Sequence, residues 1–280
     1  MKVLVFAGDL RQEYLAKRLE ETGYEVNFLS DKDGTEGKSQ EHINKLQAVI
    51  EKSDVLVLPT PSFSKDEMIR GSVLSFEQLS VFLQEGQMVF GSLIGKERTE
   101  ILQQKGVKVH DMMASEEVAV RNAVATAEGA IAEAISLTSS NLHDMNALVI
   151  GYGRCGCVLA EKLKGLCREV CVTARRKEVR TEAEAMGFRA ELLCDCLWER
   201  FGIIFNTVPA PVIDRKTLGA LKKDCVIIDL ASAPGGVDYE ACIEAGIHAK
   251  LCGGLPGKYA PETSGVILAE EIERSIICRK

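Results

Sequence analysis

The chain has 280 residues, 46% of them hydrophobic and 27% charged, and its 34 Lys and Arg face 41 Asp and Glu for a formal net charge of −7. That is an ordinary globular composition, long enough for two domains. No apolar run reaches the ~20 residues that span a bilayer. The acidic balance excludes a nucleic-acid or anionic-membrane partner, since either would want a basic face.

The acidic excess lies wholly in the first half: residues 1–141 hold 15 basic and 22 acidic residues, and residues 142–280 hold 19 of each. An anionic ligand must therefore be held by placed residues and not by the general field. The opening Met1-Lys-Val-Leu-Val-Phe-Ala-Gly-Asp has too short an apolar core for a secretory signal, so it reads as a first strand of a cytoplasmic protein.

Apolar, β-rich runs follow one another at Lys2–Phe6, Glu25–Leu29, Asp54–Leu58, Gln87–Phe90 and Val107–His110. Helical spacing separates them at Arg11–Thr22, Gln40–Lys52, Phe76–Gln84 and Lys96–Lys105, and Ser75-x-x-Gln78 forms a capping box for the third. Alternation of this kind predicts an open parallel sheet with helices on both faces, whose ligands bind beyond the carboxyl ends of the strands. A long Ala-rich helix is predicted from about Ser115 to Thr138, and Ser139-Ser-Asn-Leu-His-Asp144 breaks it. Further strands are predicted at Ala147–Ile150, Glu169–Thr173, Gly202–Asn206, Cys225–Leu230 and His248–Leu251, and an amphipathic helix at Thr263–Ile277. The expected fold class is α/β, with two doubly wound parallel-sheet domains. Residues 1–114 form a flavodoxin-like substrate and catalytic domain, 115–140 a connecting helix, 141–262 a Rossmann-type dinucleotide-binding domain and 263–280 a C-terminal helix.

The most telling motif is Gly151-Tyr-Gly-Arg-Cys-Gly156, which follows the apolar run and opens the helical segment Arg154–Leu166. Gly151 permits the tight turn, Gly153 lets backbone approach a pyrophosphate, and Gly156 lets helix pack on strand. The next strand ends in Thr173-Ala-Arg-Arg176. An acidic residue there would bind the 2′-hydroxyl of NAD, whereas two arginines suit the 2′-phosphate of NADP. Three loops rich in Gly and Pro follow later strands: Asn206-Thr-Val-Pro-Ala-Pro211, Ala231-Ser-Ala-Pro-Gly-Gly236 and Gly253-Gly-Leu-Pro-Gly-Lys-Tyr-Ala-Pro261. They can cradle the nicotinamide half through backbone groups. The expected cofactor is NADP, bound by Gly151, Gly153, Arg154, Gly156, Ala174, Arg175, Arg176, Asn206, Thr207, Val208, Pro209, Ala231, Ser232, Gly254 and Leu255.

The 10 cysteines all fall between Cys155 and Cys278. Their C-x-C pairs lack the spacing of a structural zinc site, so free thiols and no metal are expected. Among the histidines only His110, at a strand end, is a candidate proton acceptor, with a structural role as its alternative. Arg11 and Arg121 are candidate substrate-binding residues because guanidinium forks match carboxylates, and Thr60, Asn122 and Lys258 are candidates beside them. Arg121, Thr126 and Glu128 join His110 as catalytic candidates on the expected connecting helix, with solvated helix charge as the alternative.

These residues resemble the family formed by the A component of dipicolinate synthase over nearly the full chain. The resemblance rests on Gly8-Asp-x-Arg11, Arg121-Asn-x-x-x-Thr-Ala-Glu-Gly129, the Gly151–Gly156 loop, Ala174-Arg175, Ile204-Phe-Asn-Thr-Val-Pro209, Ile228-Asp-Leu-Ala-Ser-x-Pro-Gly-Gly236 and Gly254-Leu-Pro-Gly-Lys258-x-Ala-Pro261. Ala7, where a Gly is expected, and Cys155 and Cys157 depart from the pattern. The resemblance implies NADP-dependent oxidation of a dihydrodipicolinate, formed from a hydroxytetrahydrodipicolinate, to dipicolinate. It also implies a B-subunit partner, an oligomeric assembly and a place in the mother-cell cytoplasm during sporulation. Two other readings stand beside it: a shikimate-dehydrogenase-like NADP oxidoreductase, and a nucleotide-binding regulatory component without catalysis.

Overall fold

The computed structural model describes residues 1–29 and 40–277, so Cys278 lies outside the described residues. By internal packing the chain forms two units, Met1–Ala119 with Ala260–Lys280, and Val120–Tyr259.

The first unit runs β1 (Lys2–Phe6), α1 (Leu10–Glu21), β2 (Glu25–Leu29), α2 (Gln40–Glu51), β3 (Val55–Val57), α3 (Phe76–Phe82), β4 (Met88–Gly91), α4 (Lys96–Gln104) and β5 (Lys108–Asp111). Its sheet has the order β2-β1-β3-β4-β5, and each described pairing is parallel. This is the flavodoxin-like doubly wound order. The pattern Val3-Leu4-Val5-Phe6 is buried on both sides, as parallel strands require. Leu4 and Phe6 pack with Leu46, Ile50, Leu79 and Leu102 on one face of the sheet. Val3 and Val5 pack on the other face with Leu15 and Leu19 of α1 and with Ile267, Leu268 and Ile272. Those last residues belong to α11 (Pro261–Ile277), which begins two residues before the expected Thr263. The capping box at Ser75 is present in both directions: the Gln78 N–H donates to Ser75 Oγ, and the Ser75 N–H donates to Gln78 Oε1.

Helix α5 (Glu116–Leu137) is continuous, and the chain passes into the second unit at Val120. It is more than the connector predicted over 115–140: Ala127, Ala130 and Ala134 form a stripe inside the second unit's core. The small side chains let this helix lie close to its neighbours. The unit continues with β6 (Asn146–Ile150), α6 (Arg154–Lys164), β7 (Glu169–Thr173), α7 (Lys177–Ala185), β8 (Arg189–Glu191), β9 (Ile203–Asn206), α8 (Arg215–Leu218), β10 (Val226–Asp229), α9 (Tyr239–Ala245), β11 (His248–Leu251) and α10 (Leu255–Tyr259). Six parallel strands are ordered β11-β10-β9-β6-β7-β8, the Rossmann arrangement. β8 is absent from the sequence expectation because Arg-Ala-Glu offers one apolar side chain, and an edge strand needs no more. Among the described residues no helix is long and apolar enough to cross a membrane.

Candidate functional site

All strands of the second sheet point the same way, so their carboxyl ends share one edge, and the residues of interest collect there. β6 ends at Ile150 and turns through Gly151, whose φ of +94° lies in the region that L side chains avoid. A Cβ on Gly151 would overlap the Thr207 hydroxyl and reach 3.0 Å from Val208 Cγ2. A Cβ on Gly156 would overlap the carbonyl oxygen of Gly151 and lie 3.0 Å from its carbonyl carbon. The first turn of α6 is therefore seated directly on the turn that precedes it. Gly153, the N-cap of α6, makes no side-chain cap, and nothing lies within 4 Å of where its Cβ would stand. A helix first turn without a side-chain cap, beside open space at Gly153, fits a phosphate anion.

Two cavities include residues of this segment. The larger, 640 Å³, is walled by Gly151–Gly153, Thr173–Arg176, Val179, Leu193, Val208 and Val212, and no carboxylate lines it. The smaller, 340 Å³, is formed by Thr126, Cys155, Leu230–Ala233 and Leu251–Pro256. Apolar walls beside a cationic rim suit an adenosine phosphate, and small residues with exposed backbone suit a nicotinamide. The residues present fit a dinucleotide laid across the N-terminus of α6.

Arg175 and Arg176 are exposed and form no ion pair among the described residues. Arg180, which no sequence signal singles out, donates from Nη1 to the carbonyl oxygens of Ala174 and Arg175 at 2.8 Å each, fixing the loop that carries both arginines. Thr207 is tied to β6, its backbone N–H and its hydroxyl each donating to the Ile150 carbonyl at 2.9 Å. Asn206 is fully buried, so its side chain shapes the loop from within. Ala231, Ser232, Gly254 and Leu255 line the smaller cavity, whereas Pro209 lines neither cavity. Arg154 opens α6 as an exposed residue.

Residues 2–113 match the family model for the N-terminal domain of the dipicolinate synthase A component, and residues 109–251 match "D-isomer specific 2-hydroxyacid dehydrogenase, NAD binding domain". The A component of dipicolinate synthase from Bacillus subtilis (strain 168) is 28% identical over 288 residues, covering 98% of this chain and 95% of that one. Residues 2–113 thus belong with the N-terminal domains of dipicolinate synthase A, and residues 109–251, half of the chain, belong with the 2-hydroxyacid dehydrogenase NAD-binding domains. The crystal structure of the same component from Bacillus halodurans superposes with a TM-score of 0.84 at 24% identity, over 98% of this chain and 96% of the other. The Bacillus subtilis structure gives 0.81 at 24%, over 99% and 96%. Those likenesses establish the shared fold. The matched dehydrogenase domain makes the chain an oxidoreductase with a nicotinamide-dinucleotide site.

The expected substrate and catalytic residues fall in several places. Asp9 caps α1, and Arg11 closes its fork on it: Nε and Nη2 reach Oδ1 and Oδ2 at 2.9 and 2.6 Å, and Nη2 also donates to the Thr60 carbonyl at 3.1 Å. With its side chain 8% exposed, Arg11 joins two loops of the first unit and is not the open substrate fork that the sequence suggests. Thr60 shares a 2.8 Å hydrogen bond with Ser92 at the carboxyl edge of that sheet. His110 stacks on Phe90, ring centroids 4.7 Å apart, which fits the structural role better than that of proton acceptor. On α5, Arg121 is half-buried, and the Asn122 side-chain oxygen is buried without a hydrogen-bond partner. Thr126 donates to the Asn122 carbonyl at 2.9 Å and borders the smaller cavity. Glu128 is turned to Lys162 at 2.8 Å and borders neither dinucleotide cavity, so its expected catalytic role loses its geometry. The described cysteines are free thiols, and burial pushes those of Cys171, Cys196 and Cys225 up to about 12. Among the described residues no group of three His, Cys, Asp or Glu is gathered to hold a metal.

Lys258 also departs from expectation. It and Lys250 each reach Glu133 at 2.6 Å, and the Glu133 side chain is only 4% exposed. These bonds bind α5 to β11 and α10, where a Cβ on Gly129 would come within 2.8 Å of the Tyr259 ring. Hydrogen bonds from Lys250, then Lys258, outweigh burial and lower the Glu133 carboxyl from 4.5 to about 2. A depressed carboxyl stabilises the fold fully above its unfolded value and loses that contribution as pH falls through the folded one. Glu133→Gln is therefore expected to cost about 1–2 kcal/mol near neutrality, discounted because both lysines are partly solvated. Melting temperatures of the two proteins should differ at pH 7 and converge between pH 4.5 and about 2. A gap that stays constant down to the lower limit would remove this account.

Proposed function

We propose that this chain oxidises a dihydrodipicolinate to dipicolinate with NADP, acting with a B subunit in the mother-cell cytoplasm. The observation that carries the reading is the pair of cavities about the uncapped α6 N-terminus, the larger rimmed by Arg175 and Arg176, in a chain whose residues 2–113 match the dipicolinate synthase A model. When bound, the oxidised nicotinamide accepts the hydride.

The substrate ring loses a hydride from carbon and one proton, and becomes a pyridine. The small residues Ala231, Ser232 and Gly254 leave one side of the smaller cavity unobstructed and orient the cofactor through backbone groups. Arg121 and Asn122 hold a substrate carboxylate, the buried Asn122 amide adding direction to the charge. Thr126 positions α5 beside the reacting ring. Aromaticity drives the loss of the proton, so water suffices as acceptor and no strong base is needed. A pH–rate profile without an ionisation near neutrality is the expected result. One that demands a single such group would mean a base has been overlooked.

The direct experiment incubates the purified chain with NADP and freshly formed hydroxytetrahydrodipicolinate, with and without the B subunit, and follows NADPH and dipicolinate together. Formation of both supports the proposal. Turnover only of shikimate, or dinucleotide binding with no turnover in either mixture, would reject it.

A further inference from the structure

We infer that Asp229 is a positioning residue that sets the two walls of the dinucleotide site relative to one another. Asp229 ends β10, is completely buried and has no cationic partner among the described residues. Four neutral donors surround it. Oδ1 accepts from Asn206 Nδ2 at 2.9 Å and from the Ala231 N–H at 3.1 Å. Oδ2 accepts from the Gly236 N–H at 2.7 Å and the Tyr239 hydroxyl at 2.8 Å. A carboxylate has about four lone-pair sites, and every one is used.

The donors come from separate segments, and that is what gives the residue its reach. Asn206 closes its own loop, accepting from the Val208 N–H and donating to the Val208 carbonyl at 3.0 Å each. Val208 lines the larger cavity. Ala231 lines the smaller one, and Gly236 ends the same loop. A single buried carboxylate thus ties a wall of each cavity to the end of one strand. The glycines permit this closeness: a Cβ on Gly235 would press to 2.5 Å from Asp229 Oδ2, and one on Gly236 to 2.6 Å from the Ala210 carbonyl. Burying a carboxylate without a counter-charge is costly, and a neutral core residue would hold a β-strand end more cheaply. Asp229 is placed to make four simultaneous bonds that an amide of the same size cannot make, because half of the amide donates.

The inference rests on the placement of the nicotinamide half in the smaller cavity, and it predicts a split between the whole cofactor and its adenosine half. Affinities of NADP, NAD, adenosine 2′,5′-bisphosphate and ADP are measured by calorimetry on the full chain, on Asp229→Asn and on Tyr239→Phe. In Asp229→Asn the dinucleotides should weaken about 30-fold, and the adenosine fragments by less than about 3-fold. Tyr239→Phe, which removes one donor and keeps the ring, should show the same split at about 3- to 10-fold. It carries the test alone should Asp229→Asn not fold. Equal losses for dinucleotide and fragment, or no loss of dinucleotide affinity in a folded variant, would overturn the role of Asp229. If the parent chain binds the fragments as tightly as the dinucleotides, the nicotinamide placement itself is wrong, and this outcome is read before any variant.

Discussion

Replacing Gly156 with Ala should abolish useful dinucleotide binding while leaving the first unit intact. The added methyl would collide with the Gly151 carbonyl oxygen, a backbone group on the inner side of the strand-to-helix turn. A flexible side chain could swing away, but a carbonyl held in a tight turn cannot. Either α6 moves off β6 or the turn deforms, and both displace the N–H groups that would face the pyrophosphate. Displacements near 1 Å cost about a hundredfold where geometry is strict, ~2.7 kcal/mol. Overpacking adds about 1–3 kcal/mol of lost stability. Titration calorimetry with NADP and NAD checks the first number, and a urea midpoint checks the second. The control is Gly153→Ala, where a Cβ meets nothing within 4 Å of protein. Its fold should be unharmed, while its dinucleotide affinity falls because the space that the methyl enters is where a phosphate would lie. Undiminished affinity in Gly156→Ala would mean that this turn is not the binding element.

The fold is legible in the sequence because parallel strands must be apolar on both faces. Runs such as Val3–Phe6 and Ala147–Ile150 leave no other reading, and the intervening helices carry their own capping chemistry at Asp9 and Ser75. The glycines of the 151–156 loop declare their purpose through spacing, since each relieves a different steric conflict. Boundaries are less visible. The start of α11 at Pro261 is hidden by a loop of similar composition, and β8 carries too few apolar residues to announce itself.

Side-chain partners are the least legible part. Arg11 and Lys258 look from sequence like charges awaiting a dicarboxylate, and Glu128 like a catalytic group. Each instead meets a protein group: Asp9 lies two residues from Arg11, but Glu133 is 125 residues from Lys258 and Lys162 is 34 from Glu128. Periodicity cannot pair residues so far apart, because the pairing depends on how α5 sits on its neighbours. Asp229 and Glu133 are hidden for the same reason. Asp229 does leave a trace, an acidic residue closing a fully apolar strand and followed closely by a Gly-Gly pair. Glu133 leaves one too, a charge set among alanines at core spacing.

Removing the arginines of the β7–α7 loop should change which cofactor the chain prefers. Arg175 and Arg176 are exposed on the rim of the larger cavity, and no carboxylate lines that cavity to receive a ribose 2′-hydroxyl. A charged hydrogen bond is worth ~1.5–3 kcal/mol, and two on one phosphate are not additive. The double variant Arg175→Ala, Arg176→Ala should therefore lose about 2–4 kcal/mol of NADP affinity, roughly 30- to 1000-fold. NAD, lacking the phosphate, should bind the variant and the parent alike. The difference should also shrink in high salt, because the pairing is at the surface. Arg180→Ala gives a finer reading: its guanidinium touches only the loop carbonyls among the bonds described, so it should weaken NADP by a smaller factor through disorder of the same loop. Competition between NADP and NAD on the parent protein decides the matter. A parent that binds both equally would leave the two arginines without a role in cofactor choice, whatever their position on the rim.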